Sequence, residues 1–71
     1  MIADVLSQLT RIPFLPFLIR ISDGYQYSVP TVDHADVTPQ RHRVVVTADD
    51  GSVVILGPLH INGIVTMPNG A

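Results

Sequence analysis

The dipeptide Asp23-Gly24, set between two runs of alternating apolar and polar residues, constrains this chain more than any other feature. Before it, Phe17, Ile19 and Ile21 share one side of an extended chain, and Leu18, Arg20 and Ser22 share the other. After it, Tyr25-Gln26-Tyr27-Ser28-Val29 keeps the same period of two. Side chains of a strand point alternately to opposite faces, so both runs read as half-buried strands. Asp-Gly as a two-residue loop accepts the positive φ angles that a tight hairpin needs at both central positions. A β-hairpin is expected, with strands over about 15–22 and 25–30.

The pattern recurs further along. Asp49-Asp50-Gly51 separates the β-branched run Val44-Val45-Val46 from Ser52 to Leu56. Three consecutive valines suit a strand that meets apolar surface on both faces. Gly57-Pro58 interrupts the chain, and a last strand resumes at Leu59, with Gly63 as a bulge or bend. These strands are expected over about 43–48, 52–56 and 59–66. Between the two hairpins, 31–42 loses its periodicity and reads as a loop with room for one helical turn. A dozen residues is long for a connection in a small domain, and long loops are where binding groups gather. Met67 to Ala71 reads as a loose tail.

The N-terminus has a different period. Ile2, Val5, Leu6 and Leu9 recur at the spacing of one helix face, so a helix is expected over about 2–10. Asp4 suits the positive end of its dipole, Arg11 follows its last turn, and Pro13 ends it by forcing Ile12 out of the α region. So short a helix does not hold by itself in water, and it must rest on the strands. The sum is a single domain, 1–71, mainly β. Its expected form is a small five-stranded barrel, or a curled antiparallel sheet, with a short N-terminal helix over one open end. Closure is favoured because it removes free strand edges.

Composition narrows the function classes. The chain has 71 residues and no cysteine, which excludes disulfides and thiolate metal sites. A chain this short hides only about 60% of its unfolded surface, so packing, self-association or an oxygen/imidazole metal site has to supply the stability. Charged residues are 14% of the chain and hydrophobic ones 46%, a sparse charge for a small monomer. A copy of itself covering part of the surface is the simplest expectation, alongside an unidentified protein partner. All the cations are arginine (Arg11, Arg20, Arg41, Arg43), and the formal charge of −2 does not suit a general nucleic-acid binder. No run approaches the roughly 20 apolar residues of a membrane span. No signal-peptide pattern opens the chain, so a cytoplasmic location is expected.

Two resemblances bear on the fold. The segment from Phe14 to Gly24, preceded by Pro13, resembles a Pro-Phe-x-Pro-Phe/Asp-Gly signature of short uncharacterised bacterial proteins. In those proteins a helix precedes the signature, and a loop histidine and a valine-rich strand follow it. His34 and Val44-Val45-Val46 occupy the corresponding places, and the likeness runs from about Ile2 to Val65. It implies an order of elements and no activity. Val54-Ile55-Leu56-Gly57 followed by Ile61 to Val65 is also similar to the second motif of the Sm-like family. That family puts a helix before a five-stranded barrel and assembles into rings. Thr31 to Thr38 lacks the asparagine with which that family holds an RNA base, and the basic surface is missing too. The resemblance therefore implies the barrel, and leaves nucleic acid as an alternative function.

Candidate sites are few. His34, Asp33, Asp36 and His42 combine imidazole and carboxylate, the donors that suit zinc or a similar divalent ion. Their spacing matches no ligand motif, and the same residues suit a solvated polar loop in which Asp33 bonds its own backbone. Arg41-His42-Arg43 is the one local positive patch, suited to an acidic partner or to shielding a strand edge from pairing. Tyr25, two residues from Tyr27, would stack on a base or anchor an interface if its face is outward. If inward, both tyrosines are core, a reading that their match with Val29 favours. No serine sits in a nucleophile elbow, Asp49 and Asp50 diverge on a turn, and no catalytic residue or cofactor is expected. The expected function is a non-catalytic interaction or assembly module that associates with itself. A nucleic-acid surface at Arg41, Arg43 and Tyr25 is the alternative, and a divalent-metal loop around His34 a third.

Overall fold

The computed structural model describes residues 2–40 and 42–66, so the expected tail after Thr66 and the candidate Arg41 lie outside the described residues. A helix α1 (Ile2–Thr10) is followed by strands β1 (Phe17–Ile21) and β2 (Gln26–Val29), then a 3-10 turn at Val32–His34. Four more strands complete the fold: β3 (Ala35–Val37), β4 (Val44–Thr47), β5 (Val53–Leu56) and β6 (Ile61–Thr66). The strands form two three-stranded antiparallel sheets, β2-β1-β6 and β3-β4-β5.

The Asp-Gly hairpin is present, and its turn differs from the expected one. Gly24 has positive φ, at +94°. The Gly24 N–H donates to Ile21 O at 3.1 Å and the Ile21 N–H to Tyr25 O at 3.0 Å. The loop is therefore the three residues Ser22-Asp23-Gly24, closed by a glycine in the left-handed region. Asp23 Oδ1 accepts from the Tyr25 N–H at 2.9 Å, so its side chain braces the turn. The second hairpin repeats the device. Gly51 has φ +89°, Gly51 N–H donates to Ala48 O at 2.9 Å, and Ala48 N–H to Ser52 O at 2.8 Å. Tyr25 closes the turn by pairing with Ile21, and the strand expected over 25–30 is β2, Gln26–Val29.

The closed five-stranded barrel is not found. The third strand of the second sheet comes from the segment read as a loop, 31–42. There Ala35 and Val37 point inward and Asp36 outward, opposite Val46, Val44 and Val45 of β4. Three residues are too few for periodicity to register, yet enough to pair once β4 offers its edge. The helical turn expected in the same segment is the 3-10 turn, capped by Thr31, whose Oγ1 accepts from the Asp33 N–H at 3.3 Å. With three strands on each side the sheets stay separate, leaving strand edges instead of a closed wall. The bend expected at Gly63 is a register shift: Arg20 pairs with Gly63 and Ile21 with Ile61, so Asn62 is the extra residue.

The inner faces of both sheets meet in one core. Phe17, Ile19, Ile21, Val29 and Ile61 come from the first sheet, and Ala35, Val44, Val46 and Leu56 from the second. Phe17, Ile19, Val29 and Val44 are completely buried. Helix α1 adds Ile2, Val5 and Leu9, packing against β3 and β6 rather than over an open end. It thus bridges one outer strand of each sheet, which explains how nine residues remain helical. Phe14 packs on the same core, its ring tilted 56° to that of Phe17 at 6.1 Å.

Truncating Ile19→Ala should cost about 2–5 kcal/mol, a large part of the roughly 4–10 kcal/mol that a domain of this size holds. A urea titration measures it, and a loss below about 1 kcal/mol would contradict a core centred on β1. Gly51→Ala should cost about 1–2 kcal/mol. No atom lies within 4 Å of an added Cβ there, so the penalty is the backbone's alone. A thermal melt unchanged by that substitution would exclude the left-handed turn.

Candidate interaction surface

Four strand edges remain after the two sheets form, and the chain treats them differently. Helix α1 lies against β3 and β6. Strand β2 carries Gln26 and Ser28 outward, and Gln26 Oε1 accepts from Arg20 Nε at 3.3 Å. Strand β5 has only β4 as a paired neighbour, and its sequence Val53-Val54-Ile55-Leu56 carries no polar or charged side chain. Natural edge strands are usually guarded by charge, proline or a bulge, and β5 has none of these.

The register defines which groups face outward. Ala48 and Ser52 form the first hydrogen-bonded pair beyond the turn, so Val46↔Val54 and Val44↔Leu56 are the next ones. The backbone N–H and C=O of Val53 and Ile55 therefore point away from β4, along the free edge. The side chains of the same two residues stand on the outer face, 58% and 61% exposed. Val45, paired with Ile55, extends this apolar strip across the sheet. Unpaired backbone groups and exposed aliphatic side chains thus coincide on one strand.

Beside this edge the two sheets part. One groove of about 220 Å³ runs past Tyr27, Val46, Ala48 and His34, and a second of about 250 Å³ past Tyr27, Val46, Val53 and Val54. Tyr27 and Val46 line both, so the grooves follow the opening between β2 and β5. At one end stands a tie that sequence reading missed. His34 Nε2 bonds Asp49 Oδ1 at 2.6 Å and His34 Nδ1 bonds Thr31 Oγ1 at 2.8 Å. A carboxylate only accepts, so Nε2 carries a proton and donates it. Hydroxyl, imidazole and carboxylate stand in the order of an acyl-transfer relay. Thr31 is nonetheless the cap of the turn that carries His34, and its oxygen also accepts from Asp33 N–H. The array reads as a lash between the 3-10 turn and the β4–β5 turn. Asp49 is fifteen residues from His34, with no sequence pattern joining them.

The residues singled out from sequence are dispersed. Asp33 and Asp36 are exposed, the first on the 3-10 turn and the second on the outer side of β3. Both ring nitrogens of His34 are directed to Thr31 and Asp49 rather than to these carboxylates. His42 and Arg43 are exposed, and their backbone N–H groups donate to Thr38 Oγ1 at 3.2 and 3.1 Å. Among the described residues no group of three or more histidine and acidic side chains is placed to hold a metal ion. Tyr25 is 66% exposed on its turn, while Tyr27 packs against the core, so the two tyrosines separate in role. Among the described residues no helix is long and apolar enough to cross a membrane.

One carboxyl on this surface has a perturbed titration. Asp50 is held below the ordinary aspartate range by the Ser52 hydroxyl, whose Oγ donates to Oδ1 at 2.7 Å, and next by the Ser52 N–H at 2.9 Å. A folded-state pKa below the unfolded one stabilises the turn above the ordinary aspartate range. That contribution is lost as pH falls through the lowered value. Ser52→Ala should return Asp50 toward ordinary titration, followed by carboxyl NMR. An unchanged titration would show that the hydroxyl has no part in it. No protein-family model, no curated protein and no solved structure matches the chain.

Proposed function

We propose that this chain is a non-catalytic interaction module that associates with itself through the free edge and outer face of β5. The observation that carries the reading is the coincidence on Val53 and Ile55 of outward-facing backbone groups with side chains more than half exposed. Adding a strand there pairs the backbone and removes aliphatic surface from water in one step. The low charge of the chain supports the same reading, because a small monomer needs more charge to stay apart from its copies. Arg11 just after α1, Arg20 on β1 and Arg43 just before β4 are exposed in separate parts of the chain, which lends no comparable support to a nucleic-acid surface.

Size-exclusion chromatography with light scattering should show a species larger than the monomer at high micromolar concentration. Ile55→Lys, which places a charge on the edge, should weaken that association by about tenfold or more, equivalent to about 1.4 kcal/mol. Because Ile55 is 61% exposed, the fold itself should melt nearly as before. A strictly monomeric wild-type chain would overturn the reading.

A further inference from the structure

The geometry of β5 points to a specific assembly: a two-fold dimer in which β5 pairs antiparallel with β5 of a second copy, centred on Val54. The inference rests on the self-association proposed above and adds the register. In an antiparallel pair, residues whose backbone groups face the partner must lie opposite one another. On the free side of β5 those residues are Val53 and Ile55 (the ones not bonded to β4). Setting Val53 opposite Ile55 of the second copy uses every outward group of the strand and repeats itself under the two-fold. Val54 then faces its own counterpart as a non-hydrogen-bonded pair. The two sheets become one of six strands, with the order β3-β4-β5-β5-β4-β3.

Three further observations favour a second copy over another occupant of this edge. First, the strand is uncharged, so pairing it with itself brings no like charges together. Second, the antiparallel register carries the acidic turns Asp49-Asp50 to opposite ends, about 30 Å apart at about 3.3 Å per residue. Each then lies beside the other copy's Pro58-to-His60 turn, where Leu59 is 92% exposed and His60 is exposed. Third, the other unguarded edge, β2, presents Gln26 and Ser28. Pairing β5 with that edge would set Val53 and Ile55 against polar side chains, whereas self-pairing sets aliphatic against aliphatic.

The chain has no cysteine, so single-cysteine variants report the register directly. Opposed Cα atoms of a non-hydrogen-bonded pair are about 4.5 Å apart, within the span of a disulfide. Val54→Cys should therefore form a covalent dimer under mild oxidation. Val53→Cys and Ile55→Cys, each displaced from its own counterpart, should cross-link at least tenfold more slowly. Amide hydrogen exchange on the unmodified chain gives a second readout that needs no variant. The Val53 and Ile55 amides should gain protection as concentration rises, while those of Gln26 and Ser28 stay unchanged. A dimer in which Val54→Cys does not cross-link, or in which the β2 amides are the ones protected, overturns this register and leaves self-association standing. A chain monomeric at every concentration overturns both.

Discussion

Two small sheets hold together only because their inner faces share one apolar interior, and each remaining feature of the fold depends on that contact. Phe17, Ile19, Val29 and Val44 are completely buried, and among the described residues no polar side chain is buried beside them. The core is therefore specified by shape and by strand alternation, with no internal hydrogen-bond network to set its arrangement. A one-residue slip in either central strand would turn these residues toward water. The two glycine-closed turns guard against that slip, since each sets the register of the strands it joins.

The same scarcity of interior shapes the outside. Three strands on each side do not close a barrel, so edges remain and the chain deals with them unequally. Helix α1 takes up β3 and β6 and contributes Ile2 and Val5 to the core as it does so. The opening on the other side is braced at one end by His34, which joins the 3-10 turn to Asp49 on the β4–β5 turn. Asp49 is 90% exposed, so this pair positions a loop more than it stabilises the fold. Strand β5 is left with aliphatic residues on an open edge, without the charge, proline or bulge that usually guards such an edge.

Much of the architecture was legible in the sequence, and what escaped it has physical causes. The helix, the two hairpins and the final strand follow from periodicity and glycine placement, which are local signals. The type of the first turn did not follow, because Asp23-Gly24 suits both a two-residue and a three-residue loop. Hydrogen bonding at Ile21 and Tyr25 distinguishes them. Strand β3 was invisible for another reason: Ala35-Asp36-Val37 has no strand signal of its own and pairs only because β4 lies beside it. Among the candidate site residues, sequence grouped His34 with its neighbours Asp33 and Asp36. Folding joined it instead to Thr31 and to the distant Asp49.

Sequence by itself determined which face of each long strand turns inward, where the chain reverses, and that no disulfide assists it. These are properties of a residue and its near neighbours, expressed in any fold that buries alternate side chains. Tertiary structure decided how many strands each sheet has, that the barrel stays open, and which edge is left uncovered. Those outcomes depend on pairing between segments far apart in the chain, where backbone groups carry the choice and side-chain identity says little. The exposed edge of β5 is the clearest case. Val53-Val54-Ile55-Leu56 reads as a strand like any other, and only its place at the end of a sheet makes it a surface.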